Sequence, residues 1–316
     1  MANENEQDYS DVAVLLPCYN EEPTVAKVVR DFQAALPGAT VWVFDNNSAD
    51  RTADLAREAG ATVVASARQG KGNVVQHMFR HVDANVYVMA DGDDTYLAEA
   101  APQLVQAIRA GEADMVVGER LAQFDADTSF RRFHRFGNRT ITTLIRRGFG
   151  VTVKDVLSGY RGFSREFVKT IPLAANGFEI ETELTLQAAT KDYVLKEIPV
   201  RYGTRPEGSF SKLSTFGDGF LILRLILMIL KDYRPWTFFG AIAALLGLCS
   251  LAAGARPIVE YIRNAYVHAV PSAILAAGLG VLAVICLGIG LTLDTISKYH
   301  NENFRVWKKI ARQLDQ

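Results

Sequence analysis

The sequence predicts a layered α/β domain of Rossmann-like type, followed by an interfacial helix and a hairpin of two membrane-spanning helices. Three observations predict it. Up to about residue 215, short apolar runs alternate with helical patterns and turn residues separate them. Beyond that point the composition shifts, and two stretches carry no charge: Trp236 to Ala255, 20 residues, and Ser272 to Leu293, 22 residues. Three of the early apolar runs end in segments rich in carboxylates and asparagines, at the strand ends where open α/β sheets bind ligands.

Val12 to Leu16 reads as a buried strand ended by Pro17, and a helix follows from about Thr24 to Ala35, closed by Pro37-Gly38. Val41 to Phe44 is the second strand, Thr52 to Ala59 the second helix, Thr62 to Val64 the third strand and Asn73 to His81 the third helix. Val86 to Ala90 is the fourth strand. Strands alternating with helices imply parallel pairing through right-handed crossovers. The next stretch is less regular, with a strand at Met115 to Val117, a basic helix over 130–147, an amphipathic helix over 178–190 and a strand over 194–200. The expected organisation is a disordered segment over 1–11, a domain over 12–214, an interfacial helix over 215–234, two spans within 235–294 and a basic tail over 295–316.

Each uncharged run is long enough to cross ~30 Å of hydrocarbon. The 215–230 stretch is apolar around most of its circumference but short, which fits an interfacial helix or a buried core helix. Arg224, Lys231 and Arg234 precede the first span and Lys298, Arg305, Lys308, Lys309 and Arg312 follow the second, while the loop between carries only Arg256 and Arg263. The positive-inside rule then puts both termini, and the domain before the spans, in the cytoplasm, at the inner membrane. Gly278, Gly280 and Gly288 would permit close helix packing and a homo-oligomer without requiring one.

Formal net charge is −1, so no global basic field argues for a nucleic-acid partner. Cys18, Cys249 and Cys286 lie far apart without metal-site spacing, and nothing demands an oxidising compartment. The first eleven residues hold no apolar core of a signal peptide.

The chemistry sits at the strand ends. Asp91-Gly92-Asp93-Asp94 follows the fourth strand directly. Two aspartates one residue apart can face the same side of a tight turn, with Gly92 allowing close backbone approach. Hard oxygen ligands there suit Mg²⁺ or Mn²⁺ carrying a diphosphate. Alone, the same residues also fit an acidic turn with Asp94 or Thr95 as a helix cap. Pro17-Cys18-Tyr19-Asn20-Glu21-Glu22 and Asp45-Asn46-Asn47-Ser48 follow the first and second strands. Tyr19 offers an aromatic face, and Asp45 a carboxylate that accepts hydrogen bonds. Asn46 to Asp50 read as turn and cap chemistry. Lys71, between Gly70 and Gly72, reads equally as a phosphate ligand or a loop lysine.

Taken together, these segments resemble family 2 glycosyltransferases of GT-A fold. The resemblance implies that Pro17, Tyr19, Asn20, Glu21 and Asp45 hold the nucleotide base and ribose. It implies that Asp91, Gly92 and Asp93 hold the sugar-nucleotide diphosphate, with Asp91 and Asp93 as metal ligands for Mg²⁺ or Mn²⁺; the run Asp93-Asp94-Thr95-Tyr96 departs from the pattern of several relatives, and Asp94 could substitute as a ligand. Gly118-Glu119-Arg120, His134 to Arg139, Asp155 to Tyr160, Gly203-Thr204-Arg205 and Ser211-Lys212-Leu213 narrow the resemblance to polyprenyl-phosphate sugar synthases. By that resemblance Arg120 with Arg135 or Arg139 would hold a lipid phosphate, Arg205 a phosphate near the donor, and Lys71 and Lys212 would join the donor site. Guanidinium forks suit the task, since two anionic substrates must be brought together. Some of the six arginines over 131–147 also fit a surface facing solvent or lipid headgroups.

The implied reaction is a single in-line displacement at the anomeric carbon with inversion, from a nucleotide sugar to a polyprenyl monophosphate at the membrane. A UDP-sugar is favoured as donor, with GDP-mannose as the other choice. A phosphate acceptor is already ionised, so a strong base is less necessary than for a sugar hydroxyl acceptor. Glu179, Glu181 and Glu183 are candidate base or orienting groups, and at two-residue spacing they cannot all share one helical face. Transfer to a lipid or glycan hydroxyl is the competing enzyme reading, and a non-catalytic nucleotide-sugar-binding membrane scaffold the non-enzyme one. No Gln-x-x-Arg-Trp segment is present, which weighs against a processive polymerase.

Overall fold

The computed structural model describes residues 8–121, 142, 143, 145–147, 149, 150, 153–203, 224 and 227–314. The chain divides into two compact units, Met1–Gly217 and Asp218–Gln316.

The first unit is built on a seven-stranded sheet. In chain order its elements are β1 (Val12–Cys18), α1 (Val25–Ala35), β2 (Thr40–Asp45), α2 (Thr52–Glu58), β3 (Thr62–Ala65), α3 (Lys71–His81), β4 (Val86–Met89), a 3₁₀ turn (Ala98–Ala100), α4 (Ala101–Arg109), β5 (Met115–Leu121), β6 (Arg161–Ser164), α5 (Arg165–Thr170), α6 (Ile180–Thr190) and β7 (Leu195–Arg201). The strand order is β3-β2-β1-β4-β6-β5-β7. β3, β2, β1 and β4 pair in parallel, as the alternating pattern implies. β6 runs antiparallel between β4 and β5, so the sheet is mixed rather than wholly parallel.

Both faces of the sheet are covered, which is why β1 and β4 read as unbroken apolar runs. Val14, Leu16, Val43 and Val88 face one side and pack with Val28, Val29 and Phe32 of α1 and Leu104 and Val105 of α4. Alternate residues Leu15, Phe44, Tyr87 and Met89 are buried on the other side, as are Met78 of α3 and Phe167 of α5. At about 25 cal/mol per Å² of apolar surface removed from water, such two-sided burial is the main stabilising term.

Four sequence expectations change. Tyr9 is buried and its N–H bonds the Pro37 carbonyl at 3.1 Å, so ordered chain starts before residue 12. β1 continues through Pro17, which pairs with Phe44 of β2, whereas β4 pairing stops at Leu15. A strand tolerates proline where the N–H has no ladder partner to meet. α3 begins at Lys71, not Asn73, which makes Lys71 a helix N-terminal residue rather than a loop residue. The 295–316 tail, expected as a separate segment, is the continuation of a helix up to Leu314.

The second unit contains a helical segment at 227–233, then α7 (Pro235–Asn264) and α8 (Val270–Leu314). Most of the expected interfacial helix over 215–234 lies outside the described residues. Both α7 and α8 are long and apolar enough to cross a membrane, and only 11 % of the most apolar window of each is buried. That exposure is unlike a soluble core helix, whose apolar residues would be covered by protein. The two pack against each other through small residues: a side chain at Gly280 would lie 3.2 Å from Ser250 Oγ, and Gly254 faces Ala276. Pro257 sits inside α7 and has no N–H for the Ala253 carbonyl four residues back. The Ser272 hydroxyl of α8 donates to that carbonyl at 2.6 Å, which satisfies a group that hydrocarbon could not.

Candidate active site

The loops after β1 and β2 are laced into one surface. Asn20, at positive φ, accepts from Ala49 N–H (2.8 Å), and its own N–H donates to Ser48 Oγ (2.9 Å). Glu21 N–H donates to Thr52 Oγ1 (2.8 Å) and Glu22 N–H to Asp50 (3.1 Å). Asn46 is buried; its amide donates to the carbonyls of Ser66 (3.0 Å) and Arg68 (2.8 Å) and accepts from Gly70 N–H (2.8 Å). This is the turn chemistry expected of it, extended to tie the β2 loop to the start of α3.

Asp45 differs from these neighbours. Its Oδ1 is buried without a hydrogen-bond partner at the carboxyl end of β2. An unsatisfied buried acceptor costs on the order of 1–3 kcal/mol, so this oxygen is poised for an incoming donor.

At the end of β4, the Asp93 carboxylate is buried and accepts from the hydroxyl (2.5 Å) and N–H (3.3 Å) of Thr95. Asp94 adopts a left-handed conformation and turns its carboxylate to Lys27 at 2.7 Å, away from a ligand role. No helix starts there, so the cap reading of Asp94 and Thr95 falls away. Gly92 sits where a Cβ would strike Cys18 Sγ at 2.5 Å, and its carbonyl accepts from Thr24 Oγ1 at 2.6 Å.

Asp91 is joined to Lys71 and Glu181. The Lys71 ammonium lies 2.5 Å from Asp91 Oδ1 and 2.5 Å from Glu181 Oε1. Burial alone would lower the Lys71 pKa, but the two carboxylates outweigh it and hold the ammonium above its usual value. The three glutamates therefore divide as helical spacing demands. Glu183 accepts from Ala174 N–H (3.0 Å) and Ala175 N–H (2.8 Å), and Glu179 from Asn176 N–H (3.2 Å) and Gly177 N–H (3.1 Å). Glu181 alone turns to the lysine. The 174–177 loop so held packs onto the start of α3, where a Cβ on Gly72 would lie 2.6 Å from the Ala175 carbonyl carbon. Backbone cannot yield there cheaply, so Gly72→Ala should lower stability by about 1–3 kcal/mol. Thermal denaturation measures this, and an unchanged melting temperature would show that the loop is free to move.

Arg120, at the end of β5, makes a two-pronged bond to Asp155, Nε to Oδ2 at 2.6 Å and Nη2 to Oδ1 at 2.8 Å. Its guanidinium also stacks over Tyr202, 5.4 Å from the ring centroid. Asp155 thus fixes Arg120 and shares its charge with any anion bound there. The segment from Asp155 to Tyr160 is held from within by Arg161, which is fully buried. Arg161 donates to the carbonyls of Ser158 (2.9 Å) and Val156 (2.7 Å) and to Thr185 Oγ1 (3.0 Å). Burial pushes its pKa down to about 10, against the opposing pull of Glu181 and Asp155, and it remains charged at neutral pH. Gly159 N–H donates to the Tyr96 hydroxyl at 2.9 Å, and a Cβ on Gly159 would come 2.8 Å from Asp91 Oδ2. Gly203 N–H donates to the Thr95 carbonyl at 2.9 Å, which brings the end of β7 to the aspartate turn.

The structure thus brings Asp91, Lys71 and Glu181 together, with Gly92 and Asp93 in the same turn, and sets Tyr19, Asn20, Glu21 and Asp45 on the joined β1–β2 loops. Arg135, Arg139, Arg205 and Lys212 lie outside the described residues. Arg161 and Tyr96 carry no motif of their own, and Asp155, part of the Asp155 to Tyr160 run, shows no sign in the sequence that it pairs with Arg120.

Residues 13–171, half of the chain, match the family described as Glycosyl transferase family 2. This chain belongs to that family. The family 2 chain is 32% identical to the glycosyltransferase AglJ of Haloferax volcanii over 93% of its length and 96% of that protein. It is also 32% identical to the dolichyl-phosphate hexose transferase of the same organism, over 72% of this chain and 98% of the relative. Among solved structures, glucosyl-3-phosphoglycerate synthase from Mycobacterium tuberculosis, in complex with Mn²⁺, UDP and glucosyl-3-phosphoglycerate, matches with TM-score 0.59 at 22% identity. That match covers 70% of this family 2 glycosyltransferase and 78% of the other chain, and shows the GT-A fold.

Proposed function

We propose that this glycosyltransferase moves one sugar from a nucleotide sugar, a UDP-sugar in preference to GDP-mannose, onto a polyprenyl monophosphate at the cytoplasmic leaflet. The observation that carries the reading is the unpartnered, buried Asp45 Oδ1 on the same sheet edge as the Asp91-Gly92-Asp93 turn. An imide or amino N–H of a base, or a ribose hydroxyl, is the donor that oxygen lacks. The dolichyl-phosphate hexose transferase supports the acceptor class by its name, and the two apolar helices supply an anchor suited to a lipid substrate.

Asp93 and Asp91 fit a hard divalent cation. Among the described residues no cluster of three His, Cys, Asp or Glu forms a self-sufficient site. A cation that keeps waters and takes substrate phosphates as ligands needs only one or two carboxylates. Bound there, Mg²⁺ or Mn²⁺ would neutralise the leaving nucleoside diphosphate.

The protein's own groups do the rest. Tyr19 and Asp45 orient the nucleoside, and Lys71 supplies a positive charge beside the diphosphate. Arg120, steered by Asp155, receives the acceptor phosphate together with Arg135 or Arg139, while Arg205 and Lys212 serve the donor side. The acceptor oxygen then attacks the anomeric carbon as the bond to the diphosphate breaks, with inversion. Both apolar helices cross the bilayer, with the termini on the cytoplasmic side.

Purified protein incubated with undecaprenyl phosphate, Mg²⁺ or Mn²⁺ and a panel of UDP- and GDP-sugars should release nucleoside diphosphate with one donor. It should yield a lipid of monophosphosugar mass, and a chelator should stop both. Nucleotide release without that lipid would point to a hydroxyl acceptor, and no release from any donor to the scaffold reading.

A further inference from the structure

Lys71 is oddly placed for its charge. It opens α3, an 11-residue helix whose N-terminus carries partial positive charge, so the helix itself disfavours a cation there. Two carboxylates from other elements, Asp91 at the end of β4 and Glu181 in the first turn of α6, hold it in place. Asp91 is engaged on one side as a result: Oδ1 is on the ammonium and Oδ2 lies beside Gly159, while the side chain stays 29% exposed. The Lys71 backbone is pinned in turn, since Gly70 and Gly72 lie against the Asn176 and Ala175 carbonyls. Only the flexible four-carbon stem can move.

We propose that Lys71 is a resident counter-ion for Asp91, drawn off by the donor diphosphate before a divalent cation can bind, with Glu181 as the positioning residue that keeps the ammonium beside the site. This rests on the donor-site reading above. A dication approaching Asp91 meets a like charge a few ångströms away, and the diphosphate is the anion that can recruit the ammonium. Metal and nucleotide binding are then mutually dependent, and neither forms a tight complex alone. Lys71, a loop or phosphate residue by sequence, becomes the element that sets this order.

Mn²⁺ binding to the full chain in detergent, read from the electron paramagnetic resonance signal of free Mn²⁺, tests the inference. Wild-type protein should bind Mn²⁺ weakly alone and at least about tenfold more tightly with UDP or GDP, because a paired opposite charge biases a carboxylate by a factor of ten or more. Lys71→Met should bind Mn²⁺ alone about tenfold more tightly than wild type. The double variant Lys71→Met, Glu181→Gln removes the excess negative charge, guards against misfolding and should show the same gain. Lys71→Arg keeps the cation and should show none. If wild type gains with nucleotide but neither methionine variant gains without it, the counter-ion role is overturned while the donor-site reading stands. The role is equally overturned if Lys71→Arg binds as tightly as Lys71→Met. If no nucleotide tightens Mn²⁺ on wild type, the donor-site reading falls and this inference with it.

Discussion

Asp93→Asn lowers sugar transfer at saturating donor by at least about a hundredfold, some 2.7 kcal/mol or more of transition-state stabilisation. The substitution keeps the shape of the side chain and an oxygen for the Thr95 hydroxyl, so the turn that carries it stays in place. What it removes is charge, at the position where the proposed reaction places a cation beside the diphosphate. The melting temperature should stay within a degree or two, which separates lost chemistry from lost structure. Turnover within about threefold of wild type would place metal binding elsewhere.

Arg161→Met is the largest expected effect on stability. The variant fills much of the same volume but leaves the carbonyls of Val156 and Ser158, and the Thr185 hydroxyl, without their donor. Each buried acceptor left unsatisfied costs on the order of 1–3 kcal/mol, so the three together cost about 3–5 kcal/mol. For a unit of about 200 residues that is a fall in melting temperature of roughly 10 °C. Activity should fall as well, because the segment so released backs Asp91 through Gly159 and carries Asp155 to Arg120. A shift of less than 2 °C would mean that water or backbone movement replaces the guanidinium.

The first half of the catalytic fold is legible in the sequence for a physical reason. β1, β2 and β4 are buried on both faces, so apolar runs, turn residues and helical periods alternate without ambiguity, and their polar endings announce one ligand-binding edge. β6 is not legible. Arg161-Gly162-Phe163-Ser164 is short and carries a charge and a glycine, and its strand character comes from the two neighbours between which it pairs. The same residue explains why part of the site stays hidden. A fully buried arginine that bonds carbonyls looks, in sequence, like any surface arginine. Glu181 is visible among three glutamates, but only the positions of Lys71 and the 174–177 loop distinguish it from Glu179 and Glu183. Asp94 shows the converse, since a carboxylate beside the motif is claimed by Lys27 on α1.

The unbroken course of α8 has a mechanical consequence. Its uncharged stretch passes into Asp294, Lys298, Arg305, Lys308 and Lys309 without a glycine or proline after Gly290. At about 100° per residue, those four basic positions fall within an arc of about 100°, while Ile296, Trp307 and Ile310 lie on the far side. A rod of this kind transmits torsion. One residue inserted near Leu293 would turn the basic arc by about 100° about the rod axis, whereas seven would return it to within about 20°. The angular setting of the C-terminal charges is therefore geared to the seating of the apolar stretch, tooth by tooth.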